Sequence, residues 1–186
     1  MLELNDVLLR GEPRTLSMMA REGQLTCLTR TSAVLTDTPV RWLHAMMGFE
    51  PVVAGFISID GEPLTPRSAA KMRRLMAFAP NALEAVCEIN VYEPPSVQDV
   101  FSLKANSQLA ISNGLLAEEM RRTGITGAKA QLLAVAGLLN RHILLVDRPL
   151  AGSLSYLHQQ AGAGKIVVIT SNDNDVVRGA DNVVEL

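Results

Sequence analysis

The 186-residue sequence predicts an α/β fold built on a mostly parallel sheet with antiparallel N-terminal strands, and three features carry that expectation. Short β-type runs alternate with longer helical patterns along the whole chain. Two of the short runs, HILLV at 142–146 and IVVIT at 166–170, are apolar without interruption, as strands covered on both faces of a parallel sheet are. Two N-terminal runs are closed by the turn-forming pairs Arg10-Gly11 and Asp60-Gly61, as strands at a sheet edge or in a hairpin would be.

Taken in order, candidate strands are Leu2 to Leu9, Gln24 to Leu28, Gly55 to Ile59, Leu75 to Ala79, His142 to Val146, Ile166 to Thr170 and Asn182 to Leu186. A helix should start at Asp37-Thr38-Pro39, where a capping acid or hydroxyl precedes a first-turn proline, and stop near Gly48. A second helix is expected over Ser107 to Arg122, with a basic pair in its last turn and Gly124 just beyond. Ala128 to Leu139 is apolar on nearly every side and should be a buried helix. Asn90 to Lys104 contains Pro94-Pro95 and reads as a loop opening a small helical lobe. The chain is thus expected to be one domain, 1–186, with a reduced helical subdomain inserted at 82–126.

Composition narrows the function. A chain that is 48% hydrophobic and 19% charged is globular, and a net charge of −2 gives no electrostatic reason to expect a nucleic acid or an anionic membrane as partner. Cys27 and Cys87 sit in apolar stretches with neither metal-ligand nor disulfide spacing, so both are expected to be buried thiols. The first residues lack the basic start and apolar run of a signal peptide. The most apolar stretch, Ala130 to Leu139, is far shorter than the roughly 20 residues of a membrane span. The expectation is a cytoplasmic protein without direct membrane insertion, any membrane contact being made through a partner.

Written as strand, loop, helix, Gly, strand, Asp-Gly, the first sixty residues resemble an ABC-type ATPase, a member of the P-loop NTPase-like folds. Gly23-Gln24-Leu25 introduces the strand that feeds the phosphate loop, Met46-Met47-Gly48-Phe49 ends the following helix, and Gly55-Phe56-Ile57-Ser58-Ile59-Asp60-Gly61 resembles the G-x-I-x-I-D-G hairpin. Further on, Ile125-Thr126-Gly127-Ala128-Lys129-Ala130-Gln131 resembles the signature LSGGQxQ, and Ile143-Leu144-Leu145-Val146-Asp147-Arg148-Pro149 resembles the Walker B segment. Val168-Ile169-Thr170-Ser171-Asn172 resembles the switch region, and 180–186 resembles the family's closing A-D-x-h-h-x-L. The resemblance implies the fold of an ABC transporter ATP-binding subunit over nearly the whole chain.

The residues that would carry its chemistry are replaced one by one. A phosphate loop G-x-x-x-x-G-K-[ST] needs glycines for close backbone approach, a lysine for charge and a hydroxyl for magnesium. The corresponding stretch, Leu28 to Thr38, contains neither glycine nor lysine. Thr36, Asp37 and Thr38 are the residues of this stretch left to meet a nucleotide; Asp37 places negative charge where phosphate would sit, and Val34 and Thr36 resist positive φ. No aromatic residue precedes Trp42 to stack an adenine. By the resemblance, Asn81 replaces a glutamine that reports on magnesium and water, Arg148 the glutamate general base, and Ser171 the switch histidine; an arginine cannot accept a proton. Asp147 is kept on the metal side of Walker B, with a structural, loop-capping role open to it as well. In the signature, Thr126 and Gly127 are kept while Ala128 replaces the second glycine.

The leading expectation is therefore an ABC-ATPase-like protein without catalytic residues, binding, regulating or assembling with a protein partner: an ABC-type subunit, a membrane component or a second copy of itself. It needs no cofactor. The alternative is a divergent nucleotide-binding subunit, with ATP and magnesium held at the strand ends or in a composite site shared with a partner through Thr126 and Gly127. A new enzyme on the old scaffold lacks any nucleophile with a base at suggestive spacing. Ala161 to Lys165 imitates a phosphate loop, but it precedes a strand and is expected to be a flexible loop. His44, on an amphipathic helix, His142, opening a strand, and His158, near a loop, have no acid or cysteine at ligand spacing, so no metal site is expected. Met18-Met19 and Met46-Met47 read as core filling, and the basic cluster Arg67, Lys71, Arg73, Arg74 as a solvated helix face.

Overall fold

In the first strand, LELNDVLL, the apolar positions 2 and 4 are out of step with 7 and 9, so no uninterrupted strand can turn all four inward. The computed structural model, which describes residues 1–30, 38–81, 106, 109 and 111–186, resolves the mismatch with a bulge. In β1 (Leu2–Leu9) the register with both neighbours slips in the middle, and Asp6 takes a left-handed φ of 48°. Leu2, Leu4, Val7 and Leu9 are then all buried. Ser17 in β2 (Leu16–Ala20) fastens the bulge, its hydroxyl donating to Asp6 Oδ1 and accepting from Asp6 N, both at 2.9 Å. Gly55 in β4 (Val52–Ile59) lies against it with φ of 75°, and a Cβ there would stand 2.3 Å from the Asn5 and Asp6 carbonyl oxygens.

These strands and the short β5 (Glu62–Pro63) form an antiparallel sheet in the order β2-β1-β4-β5. β4 and β5 are joined by Asp60 and Gly61 at φ of 50° and 80°, the positive pair that a two-residue hairpin turn requires. The Asp-Gly signal is borne out. β2 is a strand that the sequence reading does not contain.

The parallel sheet runs β6-β7-β8-β3-β9, from β3 (Leu25–Thr29), β6 (Met76–Ala79), β7 (Ile143–Asp147), β8 (Ile166–Thr170) and β9 (Asn182–Glu185). β7 and β8 are buried at every position, as their continuous apolar runs predict. Alternate residues feed two cores. Ile143, Leu145, Ile166 and Val168 pack toward α1 (Thr38–Met46) and the antiparallel sheet, with Trp42, Met46 and Met18 filling the layer. Leu144, Val146, Val167 and Ile169 pack on the opposite face against α4 (Ala128–Leu138), α5 (Leu154–Gly162) and α6 (Asn174–Arg178). Burial of the Cys27 thiol in this second core pushes its pKa up to about 11.

Of the expected subdomain at 82–126, the described residues are Asn106, Leu109 and 111–126. Its helix α3 (Asn113–Arg122) starts six residues later than Ser107, because Ser112 is extended and caps it, accepting from Leu115 N at 3.2 Å. The short α2 (Ala69–Arg73) carries Lys71 and Arg73 of the basic cluster on a helix, as expected, whereas α5 and α6 are additions to the sequence reading. His158 lies in α5, with Nε2 2.7 Å from Gly179 O in the connection between α6 and β9. Ala161 and Gly162 end that helix, and Lys165 is buried with Nζ on Gln160 Oε1, burial pushing its pKa down, so the stretch is no flexible loop. Met18, Met46 and Met47 fill the core as expected, whereas Met19 faces outward. Cys87 lies outside the described residues. Among those described, no helix is long and apolar enough to cross a membrane.

Candidate functional site

In an open parallel sheet the carboxyl ends of the strands are where ligands are held. Pairing brings the relevant ends into line here: Asp147 is level with Thr170, Thr170 with Leu28, and Val146 with Ala79, two residues before Asn81. Asp147, Arg148, Ser171, Asn81 and the exit of β3 thus lie along one edge, as the resemblance implies. Thr38 is the first residue of α1. Thr36 and Asp37 lie outside the described residues.

The centre of the edge is internally satisfied. Asp147 is 5% exposed, and its Oδ1 accepts from the Thr170 hydroxyl at 2.6 Å. Arg148 follows with a left-handed φ of 49°, its N donating to Thr170 O at 3.0 Å and to Thr170 Oγ1 at 3.2 Å. That turn brings the Arg148 Nε to 3.6 Å from Asp147 Oδ1. Lys129, the second residue of α4, donates to Arg148 O at 3.1 Å. The crevice these residues line beside Pro80 and Leu150 is about 10 Å³, the space of a single water.

Ser171 is buried, its N donating to Leu28 O at 3.0 Å and its hydroxyl accepting from Asp173 N at 3.1 Å. The next side chain reaches across to the exit of β3: Asn172 Oδ1 accepts from Arg30 N at 3.1 Å and Thr29 Oγ1 at 3.5 Å. Arg30 Nη2 in turn bonds Glu12 Oε2 at 2.6 Å, Arg41 lies 3.5 Å from the other oxygen of that carboxylate, and Arg41 also pairs with Glu50. The Glu12 side chain is only 5% exposed. Beside it a cavity of about 350 Å³ is lined by Glu12, Arg14, Arg30, Trp42 and Glu185 among others, a mixed-charge wall.

Thr126 and Gly127 are exposed at the start of α4, where Gly127 has φ of 79° and open space where a Cβ would point. No group of three potential metal-ligating side chains occurs among the described residues. Sequence reasoning missed Thr170, Asn172, Lys129 and the Glu12 cluster. Thr170 and Asn172 stand inside a motif it quoted; Glu12 sits 18 residues from Arg30 and no local pattern links them.

The sequence matches no protein-family model and no curated protein. Solved structures do match. One ATP-binding subunit of an ABC transporter superposes with a TM-score of 0.73 at 18% identity, covering 100% of this chain and 85% of that one. cbiO1 of Clostridium perfringens, part of the ABC transporter complex cbiONQ, gives 0.70 at 16% identity, covering 99% and 83%. A dimeric ATP-binding cassette in a post-hydrolysis state, bound to ADP and phosphate, gives 0.71 at 17% identity, covering 100% and 94%. The chain has the fold of the ATP-binding subunits of ABC transporters, as the order of its sequence landmarks predicts.

Proposed function

We propose that this protein is an ABC-ATPase-like subunit that does not hydrolyse ATP and acts by binding a protein partner, in regulation or assembly. The observation that supports this most is at the end of β7. Asp147 is engaged by Thr170 and faces the Arg148 guanidinium, in the position where the resemblance calls for a carboxylate base. A permanently protonated group there can neither take a proton from water nor attract a cation beside Asp147. The buried Glu12 carboxylate works in the same direction, because it engages the Arg30 guanidinium at the exit of β3 and leaves that cation less charge to offer a phosphate.

Hydrolysis of Mg-ATP by the full chain, compared with its Asp147→Asn variant, tests the reading. The expected result is no turnover above buffer for either protein. Turnover that the substitution abolishes contradicts it.

A second reading rests on the exposed start of α4, where Thr126 and the glycine at 127 leave room for a phosphate held by another subunit. One structural neighbour is a dimer with bound ADP and phosphate. A composite site of this kind predicts self-association that requires Mg-ATP and is lost in Gly127→Val. Sedimentation unchanged by nucleotide eliminates it for a homodimer.

A further inference from the structure

The connection between β1 and β2 turns its acid inward. Gly11 takes a φ of 82°, Glu12 N donates to Leu9 O at 3.1 Å, and the Glu12 side chain that follows is only 5% exposed. Each of its carboxylate oxygens meets a guanidinium from a different segment. Oε2 accepts from Arg30 Nη2 at 2.6 Å, just past β3, and Oε1 lies 3.5 Å from Nη1 of Arg41, the fourth residue of α1.

Both arginines are also held by groups other than Glu12. Arg41 Nη2 donates to Arg10 O at 2.8 Å and pairs with Glu50, and the Arg30 backbone is tied to Asn172 by the 3.1 Å bond from its N. Two fixed guanidiniums converging on two oxygens are the arrangement that holds a phosphate or sulfate. The cavity of about 350 Å³ beside them has room for pyrophosphate. Arg14 on its wall is exposed and makes no hydrogen bond or ion pair with the described residues. Without the Glu12 charge, the side chains of Arg14, Arg30 and Arg41 would stand against that of Glu185.

We infer that Arg30 and Arg41 form an oxyanion site that the chain closes with its own Glu12, the carboxylate standing where a phosphate-bearing ligand would otherwise bind. A carboxylate delivered by a short turn of the same chain has an effective concentration that free anions at millimolar levels do not match, so the native site stays shut to them. This deepens the reading of the chain as one that does not engage nucleotide phosphates. It stands on different residues, however, and its failure leaves the argument from Asp147 and Arg148 intact.

Thermal unfolding of the full chain in pyrophosphate, compared with sodium chloride at equal ionic strength, tests the assignment. Glu12→Ala opens the space of the carboxylate toward the cavity and leaves both arginines in place. At pyrophosphate roughly tenfold above a millimolar dissociation constant, its Tm should rise by about 3 °C over the salt control, while the parent's should not move. Calorimetry should show saturable binding to Glu12→Ala that weakens at least about tenfold in Glu12→Ala/Arg30→Ala. A carboxylate that merely clamps the turn predicts a less stable Glu12→Ala protein with no response to pyrophosphate, and that result overturns the inference. So does a parent that binds pyrophosphate as tightly as the variant. Removing one partner of a buried ion pair is costly. If Glu12→Ala does not fold, Glu12→Gln, which keeps the length and removes the charge, enters the same comparisons and the same two outcomes decide.

Discussion

Gly137 is the position at which one methyl group should disturb most. It lies in α4 facing Tyr156 of α5, and a Cβ there would stand 1.8 Å from the Tyr156 hydroxyl oxygen and 3.2 Å from Glu119 Oε1. That hydroxyl donates to Glu119 at 2.5 Å, inside a site where Tyr156 is 2% and Glu119 7% exposed. Burial first, and the Glu119 carboxylate second, hold the phenol well above its ordinary range, so it remains a donor at any working pH. Gly137→Ala gains about 1 kcal/mol of helix propensity. Against this stand overpacking at about 1–3 kcal/mol and the loss of a hydrogen bond to a charged acceptor at about 1.5–3 kcal/mol. The mid-range net loss is about 3 kcal/mol, or roughly 6–12 °C in Tm for a chain of this size. Tyr156→Phe alone should cost about 1.5–3 kcal/mol through the same hydrogen bond. The double variant has no hydroxyl to collide with, so its loss should fall short of the sum by at least about 1 kcal/mol. Denaturant melts of the four proteins read this directly. Strict additivity, or a Gly137→Ala protein as stable as the parent, refutes the packing argument.

Three further outcomes follow from the same physical reasoning. Gly55→Ala must place a Cβ against two carbonyl oxygens at positive φ, so it should destabilise by at least about 2 kcal/mol in chemical denaturation. Thr170→Val removes the hydroxyl that serves both Asp147 and Arg148 N, and should cost about 1–3 kcal/mol in the same assay. In a Cys87→Ser background, native Cys27, whose pKa is pushed from about 9 up to about 11, should resist thiol reagents at pH 8 and react fully once unfolded. Because the folded state keeps that proton where the unfolded state has released it, the stability held below pH 9 should decline as the pH rises from about 9 to 11, and Cys27→Ala should flatten the decline.

The parallel sheet was legible in the sequence because being covered on both faces leaves a plain trace: ILLV and IVVIT tolerate no polar residue until the strand end. β2 was not, since its inward residues Leu16, Met18 and Ala20 alternate with Ser17 and Met19, and a second methionine hides the period. Apolar residues between Ser107 and Ile111 imitate helical spacing, but the capping serine at 112 decides where α3 starts. At the candidate site, the identities of Asp147 and Arg148 were readable, but their relation was not. The left-handed turn at Arg148 and the Thr170 hydroxyl are what bring guanidinium and carboxylate together. The Glu12, Arg30 and Arg41 cluster joins three separate segments, so only the folded chain reveals that a buried acid lies against the exit of β3.

Calorimetric titration of the full chain with Mg-ATP and Mg-ADP, at protein concentrations able to detect millimolar affinity, tests the central claim most directly. The account predicts no heat of binding from either nucleotide, with Asp147→Asn indistinguishable from the parent. Saturable binding of Mg-ATP that weakens in Asp147→Asn would contradict it, and would mean that the stretch from Arg30 to Thr38 holds phosphate without glycine or lysine.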